Sequence, residues 1–218
     1  MANMMDHAKV ISVKNALRHG DIFTRLSAVI MGIGNICRKQ IIKGLLYLAA
    51  EILFIAFMVV SGFGLLGGLT TLGTNEGGEV FNEAAQVYEY TSGDNSMLIL
   101  LYGILAIIAV IAFVLLWRSS LKSAYQAQLL QQEGKAVPSF RQDLAALFDQ
   151  NLHKTLLAGP IVCIIAFTIL PLVFMISMAF TSYSKVDSHL VLFDWVGLEN
   201  FKLIFNSGSS IGQSFWSV

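Results

Sequence analysis

Charged residues are scarce in this sequence. Asp, Glu, Lys and Arg make up only 13% of the 218 residues, while 56% are hydrophobic and the mean hydropathy is +0.68. Soluble domains usually carry about 25% charged residues, so this composition argues against an ordinary soluble domain and indicates an integral membrane protein. The formal net charge is zero, so no global positive field points to nucleic acid. We therefore expect no nucleic-acid partner.

Cysteine and histidine are also rare, which leaves little material for a disulfide framework or a metal centre. Cys37 and Cys163 both fall toward the predicted cytoplasmic side, where thiols stay reduced, and we interpret them as small apolar residues. The four histidines lack metal-ligand spacing, and no nucleophile–base pair is evident. We expect no catalytic residue, no metal and no cofactor, and so no enzyme. Residues 1–40 also lack the apolar core of a cleavable signal peptide.

Long apolar runs are what the sequence does contain, and they predict an all-α integral membrane protein. A helix rises about 1.5 Å per residue, so about 20 apolar residues cross a hydrocarbon core of about 30 Å. Three runs meet this requirement, and we place the transmembrane helices at residues 41–66, 97–117 and 156–180.

Positive charges alternate between the segments that flank these helices. Lys and Arg number seven in residues 1–43, none in the acidic segment 67–96, five in residues 118–155 and two in residues 181–218. Cytoplasmic segments of membrane proteins carry an excess of Lys and Arg. The alternation therefore predicts a multi-pass membrane protein with a cytoplasmic N-terminus, external segments 67–96 and 181–218, and a cytoplasmic helical loop at 118–155.

The N-terminal segment 1–40 carries apolar residues at helical spacing. They follow Asp21, a candidate N-cap, at Ile22, Phe23, Leu26, Val29, Ile30, Ile33, Ile36 and Cys37. This stripe predicts one amphipathic helix. Either it lies at the lipid headgroups, with positive charge from Arg25, Arg38, Lys39 and Lys43, or it packs on a cytoplasmic partner. A second amphipathic cytoplasmic helix is predicted after Ser139, which forms a capping box with Gln142.

Two residues within the predicted spans stand out. A carboxylate at mid-bilayer costs about 2.5–3.5 kcal/mol, so Glu51 should face protein or water. Glu51 is then a pathway residue, a structural partner of another helix, or a side chain nearer the interface if the first span begins at Tyr47. Pro171 removes an amide donor and clashes with the carbonyl of Phe167, which predicts a kink in the third helix.

Several short motifs give the chain a resemblance to a known family. The most specific are Ala179-Phe180-Thr181-Ser182-Tyr183 and Trp195-Val196-Gly197-Leu198-Glu199-Asn200-Phe201, which follow the Pro171-containing helix on the predicted outer side. With Gly44-Leu45-Leu46-Tyr47-Leu48 and Lys122-Ser123-Ala124-Tyr125, they resemble the N-terminal portion of maltose/maltodextrin-type permease subunits of binding-protein-dependent carbohydrate ABC importers. The motif residues that carry the resemblance are Phe180, Thr181, Tyr183, Trp195, Gly197, Leu198, Asn200 and Phe201.

The resemblance implies a location in the bacterial plasma membrane, a third helix (156–180) that begins a transport core, a set of partners and a function. It implies a permease subunit that forms a translocation pathway with a second permease subunit, surrounded by membrane lipid, with two cytoplasmic ATPase subunits and an extracellular solute-binding protein. The chain contains no phosphate-binding loop ending in Gly-Lys-Ser/Thr, so separate subunits would hydrolyse ATP. Glu83-Ala84-Ala85 matches three letters of the family's ATPase-docking segment, but it lies on the predicted external side and we reject it.

The last stretch, residues 208–218, reads like the approach to a fourth span. We therefore expect the sequence to be a fragment that lacks most of the transport core. The alternative function is a three-span membrane anchor or accessory subunit, which would act through helix–helix contacts alone.

Overall fold

A computed structural model describes residues 10–82, 86–149, 152–183, 185–186, 189–190, 192–206, 213 and 217. It contains three helices that are long and apolar enough to cross a membrane: span 1 (Ile41–Thr71), span 2 (Ser96–Gln132) and span 3 (Thr155–Met178). The predicted fold, an all-α integral membrane protein with three transmembrane helices, is confirmed. Spans 1 and 2 continue past the predicted ends at residues 66 and 117, because polar residues extend each helix beyond its apolar run.

The N-terminal segment folds as three short helices, α1 (Val13–His19), α2 (Ile22–Leu26) and α3 (Ile33–Ile36). Asp21 caps α2 as predicted, since its carboxylate accepts a hydrogen bond of 2.7 Å from the amide of Thr24. The prediction of one continuous amphipathic helix is wrong. Backbone hydrogen bonds continue the helical turns to Ile30, but Gly32 then adopts φ +85°, a left-handed conformation that stops the helix.

The remaining helices belong to the spans and the segments between them. Span 1 consists of α4 (Ile41–Phe57), a π-helical turn (Met58–Gly62) and α5 (Phe63–Thr71); span 2 is α6 (Ser96–Gln132); α7 is Phe140–Phe148; span 3 joins α8 (Leu152–Ile164), a π-helical turn (Ile165–Ile169) and α9 (Leu170–Met178); α10 is Glu199–Phe205. The capping box at Ser139 is confirmed, with both reciprocal hydrogen bonds to Gln142 present.

Two antiparallel strand pairs occur in the segments predicted to be external. Strands β1 (Gly77–Asn82) and β2 (Val87–Ser92) form a hairpin in which Phe81 lies opposite Tyr88, with ring centroids 5.1 Å apart. Strands β3 (Lys185–Val186) and β4 (His189–Leu190) form a shorter pair. Aromatic and β-branched residues favour strands, and their concentration in residues 80–91 accounts for the longer hairpin.

The chain divides into two compact units. The first comprises Met1–Val60 and Ile108–Ile161, and the second comprises Ser61–Ile107 and Val162–Val218. The core of the first unit mixes apolar and polar residues: Ala16, Leu121 and Tyr125 are buried together, and so are polar side chains that include Thr24, Ser27, Asn35, Arg38, Ser120 and Gln128. Polar burial on this scale requires internal hydrogen-bond partners.

Candidate functional site

The motif residues after span 3 converge on one structure, which we call the outer cap (residues 179–183 and 192–201). The side-chain amide of Asn200 donates to the carbonyls of Ala179 and Thr181, each at 2.9 Å. The amides of Val196 and Gly197 donate to the carbonyl of Phe180 at 2.9 and 3.1 Å. The carbonyl of Ala179, the C-cap of α9, and the carbonyls of Phe180 and Thr181 just after it thereby gain partners, so the chain leaves span 3 in a fixed geometry.

Aromatic contacts complete the outer cap. The rings of Phe180 and Phe201 lie 5.3 Å apart, and Tyr183 meets Phe193 edge-on at 5.5 Å. Thr181 pairs with Trp195 in an isolated antiparallel bridge. The structure thus brings together the predicted residues Phe180, Thr181, Tyr183, Trp195, Asn200 and Phe201.

The two other predicted motif residues shape the cap differently. Gly197 has φ +62°, a left-handed conformation that favours glycine, and it allows the chain to turn toward α10. Leu198 stands at the N-terminus of α10 and is 60% exposed. Its side chain is therefore available at the surface of the cap.

The outer cap is fastened to two other segments of the second unit. The indole N–H of Trp195 donates to the carbonyl of Leu69 at 2.6 Å, and the amide of Phe193 donates to the hydroxyl of Ser96 at 3.2 Å. Leu69 lies near the end of span 1, and Ser96 begins span 2. The cap therefore holds the ends of all three spans together. Neither Leu69 nor Ser96 carried a sequence signal, because their partners lie about a hundred residues away.

Asp94 closes the segment between spans 1 and 2, a role that its sequence context did not reveal. Its carboxylate accepts hydrogen bonds from the amides of Thr74 and Asn75 at 2.9 and 3.0 Å. These backbone hydrogen bonds lower the pKa of the Asp94 carboxyl below its ordinary value. The carboxylate thereby joins the two ends of the segment that contains β1 and β2.

The chemistry of the outer cap is that of a scaffold. Among the residues that the structure describes, no three His, Cys, Asp or Glu side chains lie close enough to hold a metal ion. Within the cap, the side chains of Thr181, Ser182, Trp195 and Asn200 bond to backbone atoms. Tyr183 and Trp195 are each 41% exposed, and with Leu198 they present an amphipathic surface that suits contact with protein or with the membrane interface.

Glu51 has an internal partner in the first unit. Its carboxylate accepts a hydrogen bond of 2.8 Å from the amide of Met31, in the turn between α2 and α3. In the same region the indole of Trp117 donates to the carbonyl of Ala28 at 2.9 Å. The bond to Met31 is the kind of contact that the structural interpretation of Glu51 requires; a role in a substrate pathway stays a prediction.

The segment around α2 and α3 is held by a second set of polar contacts, centred on Arg38. Its guanidinium pairs with Asp21 at 2.6 Å and also donates to the carbonyl of Gly34 and the hydroxyl of Thr24. Gln128 of span 2 accepts from the Asp21 amide and the Thr24 hydroxyl at 3.0 and 2.9 Å. The base of this segment is thus locked to span 2.

The charge state of Asp21 follows from these contacts. Partial burial opposes ionisation and raises the pKa of the carboxyl, but hydrogen bonds from Thr24 and Arg38, together with the positive charge of Arg38, outweigh burial. The pKa of Asp21 is therefore lowered, and the ion pair with Arg38 persists at neutral pH. Arg38 and Lys43, expected to face headgroups, instead pair with Asp21 and Asp143, whereas Arg25 and Lys39 remain exposed.

Pro171 lies in the first turn of α9, directly after the π-helical turn of span 3. The amide of Leu170 reaches back five residues to the carbonyl of Ile165, which is the wide turn of a π-helix. The kink itself stays a prediction.

Span 3 differs from span 2 in burial. None of the 18 most apolar consecutive residues of span 3 is buried, whereas 22% of the corresponding 18 residues of span 2 are buried.

Comparison with curated proteins finds relatives among bacterial permeases. The chain is 32% identical over 197 residues to the maltodextrin transport system permease protein MalC of Streptococcus pneumoniae, covering 88% of this chain and 41% of that protein. It is 28% identical over 191 residues to the galactooligosaccharides transport system permease protein GanP of Bacillus subtilis, covering 87% and 42%. It is also 28% identical over 188 residues to the maltodextrin transport system permease protein MdxF of Bacillus subtilis, covering 84% and 39%.

The match takes in most of this chain but only about two fifths of each relative. No protein-family model matches the chain, and no solved structure matches it. The relatives are named as permease proteins, which agrees with the expectation that the chain is not an enzyme. The resemblance carried by the motifs is confirmed: over most of its length, the chain is a homologue of permease proteins from bacterial maltodextrin and galactooligosaccharide transport systems.

Proposed function

We propose that this chain forms part of a permease subunit of an ATP-driven carbohydrate importer, with a maltodextrin-like oligosaccharide as substrate. In this proposal it lines part of the translocation pathway together with a second permease subunit. Two cytoplasmic ATPase subunits supply the energy, and an extracellular solute-binding protein delivers the sugar. The observation that carries the proposal is the similarity to MalC, GanP and MdxF over 84–88% of the chain.

The outer cap supports the proposal because it is built from the motif that resembles such permeases. It fixes the exit of span 3 through Asn200 and fastens it to Leu69 through Trp195. A transporter needs helices that move as rigid bodies when access alternates between the two sides. In the proposed function, the cap transmits movement of span 3 without letting its outer end unravel.

The unburied faces of span 3 support a partnered role. Phe167 and Met175 are 79% and 65% exposed, and both belong to the span that is predicted to begin the transport core. We propose that the second permease subunit covers part of this surface in the complete importer.

The proposed orientation places the N-terminus in the cytoplasm of a bacterium. The alternation of Lys and Arg supports it. In cells, a single cysteine at Glu79 should react with a membrane-impermeant maleimide, while one at Lys135 should react only after lysis. Both positions are exposed. The reverse labelling pattern would contradict the orientation.

Uptake of labelled maltooligosaccharides by intact cells tests the function. Deleting the gene that encodes this chain should abolish uptake, and the wild-type gene should restore it. Asn200→Ala removes both side-chain hydrogen bonds to the carbonyls of Ala179 and Thr181 and should lower the maximal rate at equal membrane abundance. Lys202→Gln, an exposed change in the same helix, is the matched control and should transport normally.

Substrate competition and co-purification separate the proposal from its alternative. Unlabelled maltodextrin or galactooligosaccharide should compete for uptake, and an ATPase should co-purify with the protein. Normal uptake of every oligosaccharide in the deletion strain, combined with loss of another membrane complex, would overturn the permease proposal in favour of an anchor or accessory subunit.

A further inference from the structure

The segment that contains α2 and α3 has its polarity reversed relative to a soluble helix pair. We call residues 21–38 the helical hairpin. Its buried side is small or polar, with Thr24, Ser27 and Asn35 fully buried. Its outer side is apolar, with Ile22 80% and Val29 72% exposed. The other large exposed apolar side chains of this face are Phe23, Leu26 and Ile30. A protein in water would bury such a face, so another medium or partner must cover it.

The position of the helical hairpin is fixed by its contacts with span 2. Thr24 contacts Gln128, Ala28 contacts Trp117, and the Gly32 amide donates to Ser120. The chain therefore climbs along span 2 from residue 128 to residue 117, about 16 Å at 1.5 Å per residue. It then turns and descends, since Asn35 contacts Ser123.

The descent requires close backbone packing. Gly32, at φ +85°, lies directly on the backbone of Gly44 in span 1, where a Cβ atom would collide with the Gly44 carbonyl. Small residues at a helix contact, which let two backbones approach, are the packing device of helices in lipid. The helical hairpin thus packs on both spans as membrane helices do.

The tip of the helical hairpin (residues 28–32) marks the inner boundary of the membrane. Trp117 and Glu51 both bond to the tip, and Arg118 follows Trp117 directly. An indole beside cationic and anionic groups is typical of the headgroup region. Residues 52–71 of span 1 still provide twenty residues of helix, enough to cross a hydrocarbon core of about 30 Å.

We propose that the helical hairpin is a lipid anchor, whose tip presses Val29 and Ile30 into the boundary between headgroups and acyl chains of the inner leaflet. The exposed cations Arg25 and Lys39 then meet anionic phospholipid headgroups. The lipid bilayer is the occupant because the tip bonds to Glu51, directly before the part of span 1 that enters the membrane, where Ile52 and Leu53 are also exposed and apolar. The proposal does not depend on the transport function.

Spin labels on the whole chain, reconstituted in lipid vesicles, test this anchor. Cys37→Ser and Cys163→Ser provide a background without native thiols, and single labels are placed by Val29→Cys and, independently, Ile30→Cys. Both sites are exposed, so a label should not disturb packing. Lys135→Cys, whose native side chain is 65% exposed, is the water-facing control. Collision rates with oxygen report lipid, and those with a soluble nickel complex report water.

At positions 29 and 30, oxygen collisions should exceed nickel collisions several-fold, and at position 135 the order should reverse. Equal access of nickel at 29 and 135 would overturn the anchor and leave the face for a soluble protein partner. Vesicles with and without phosphatidylglycerol test the headgroups. The labels should sit deeper with phosphatidylglycerol, and Arg25→Gln with Lys39→Gln should remove that difference; unchanged depth in all four samples would contradict the choice of anionic lipid.

Discussion

The helical hairpin and span 3 differ in how many of their side chains find partners within the chain. The helical hairpin pairs its buried polar groups inside the chain, with Arg38, Thr24 and Gln128 bonded to one another or to the backbone; among the described residues, only the Oδ1 of Asn35 is a buried side-chain polar atom without a partner. Span 3 carries almost no polar group inside its apolar run and has no buried residue in its most apolar window. The inner side of the helical hairpin is packed within the chain and its outer face is unpartnered, whereas span 3 has no packed side within its most apolar stretch.

This difference separates a region that should determine the stability of the chain, the helical hairpin, from a region that should bind a partner, span 3. Removing one partner from a closed polar network leaves other buried groups unsatisfied, so the helical hairpin should be sensitive to single substitutions. An unburied apolar helix loses little when one side chain is shortened, so span 3 should respond only when a partner covers it. The predictions below test this difference between the helical hairpin and span 3.

The largest effect is expected at the crossing of the helical hairpin with span 1. Gly32→Ala places a methyl group against the Gly44 carbonyl and strains a left-handed residue. We expect a loss of about 3 kcal/mol or more in the free energy of unfolding, measured by thermal unfolding in detergent. Gly159→Ala in α8 meets no atom within 4 Å and is the control; an equal loss there would refute the contrast.

The next effect is expected at the ion pair of the helical hairpin. Asp21→Ala leaves the buried Arg38 guanidinium without its anion, and we expect a loss of about 2 kcal/mol, because the carboxylate itself is partly exposed. The exposed pair of Lys135 with Glu133 provides the comparison, and Glu133→Ala should cost less than about 0.5 kcal/mol. A similar loss in the free energy of unfolding for both variants would mean that the pair of Asp21 with Arg38 stabilises the chain no more than an exposed ion pair does.

The lowered pKa of Asp21 predicts that acid destabilises the folded chain. The pKa of Asp21 is lowered by folding, so its contribution is complete above its ordinary value of about 4 and is lost as the pH falls through the lowered value. The free energy of unfolding of the wild type should therefore begin to fall below about pH 4, and keep falling with further acidification, more steeply than that of Asp21→Asn. Parallel pH profiles for the two proteins would contradict this assignment.

Glu51 should give a smaller effect that separates its structural role from a pathway role. Glu51→Ala removes the acceptor for the Met31 amide and should cost about 1 kcal/mol, whereas Glu51→Gln keeps an oxygen acceptor and should be nearly neutral. If Glu51→Gln retains its stability but loses sugar uptake in the complete importer, the charge acts in the pathway instead.

The smallest effect on the isolated chain is expected in span 3. Phe167 is 79% exposed, so Phe167→Ala should change the free energy of unfolding by less than about 0.5 kcal/mol. The same variant should weaken association with the second permease subunit in the complete importer. A large loss of stability in the isolated chain would show that span 3 is already packed and would remove the contrast with the helical hairpin.

Local signals in the sequence predicted much of this architecture. Apolar runs located the three spans, and the caps at Asp21 and Ser139 form as their side-chain chemistry requires. The motif after span 3 predicted which residues would share a site, although not how they meet. These features depend on neighbours within a few residues, so sequence patterns report them.

Features set by distant contacts were not predictable. The apolar residues from Ile22 to Cys37 keep their helical spacing across the turn. The sequence pattern therefore did not indicate that the chain reverses at Gly32, where it packs on Gly44. Arg38 and Lys43 read as headgroup cations because their acidic partners, Asp21 and Asp143, lie 17 and 100 residues away. The bond from Trp195 to Leu69 likewise joins residues 126 apart.

Photo-crosslinking in the complete importer tests the contrast most directly. Benzoylphenylalanine replaces Phe167 in span 3 in one variant and Val29 in the helical hairpin in another, and adducts are identified by mass spectrometry after irradiation of membranes. We predict a protein adduct, to the second permease subunit, from position 167, and adducts with phospholipid from position 29. A protein adduct from position 29 together with lipid adducts alone from position 167 would contradict the account.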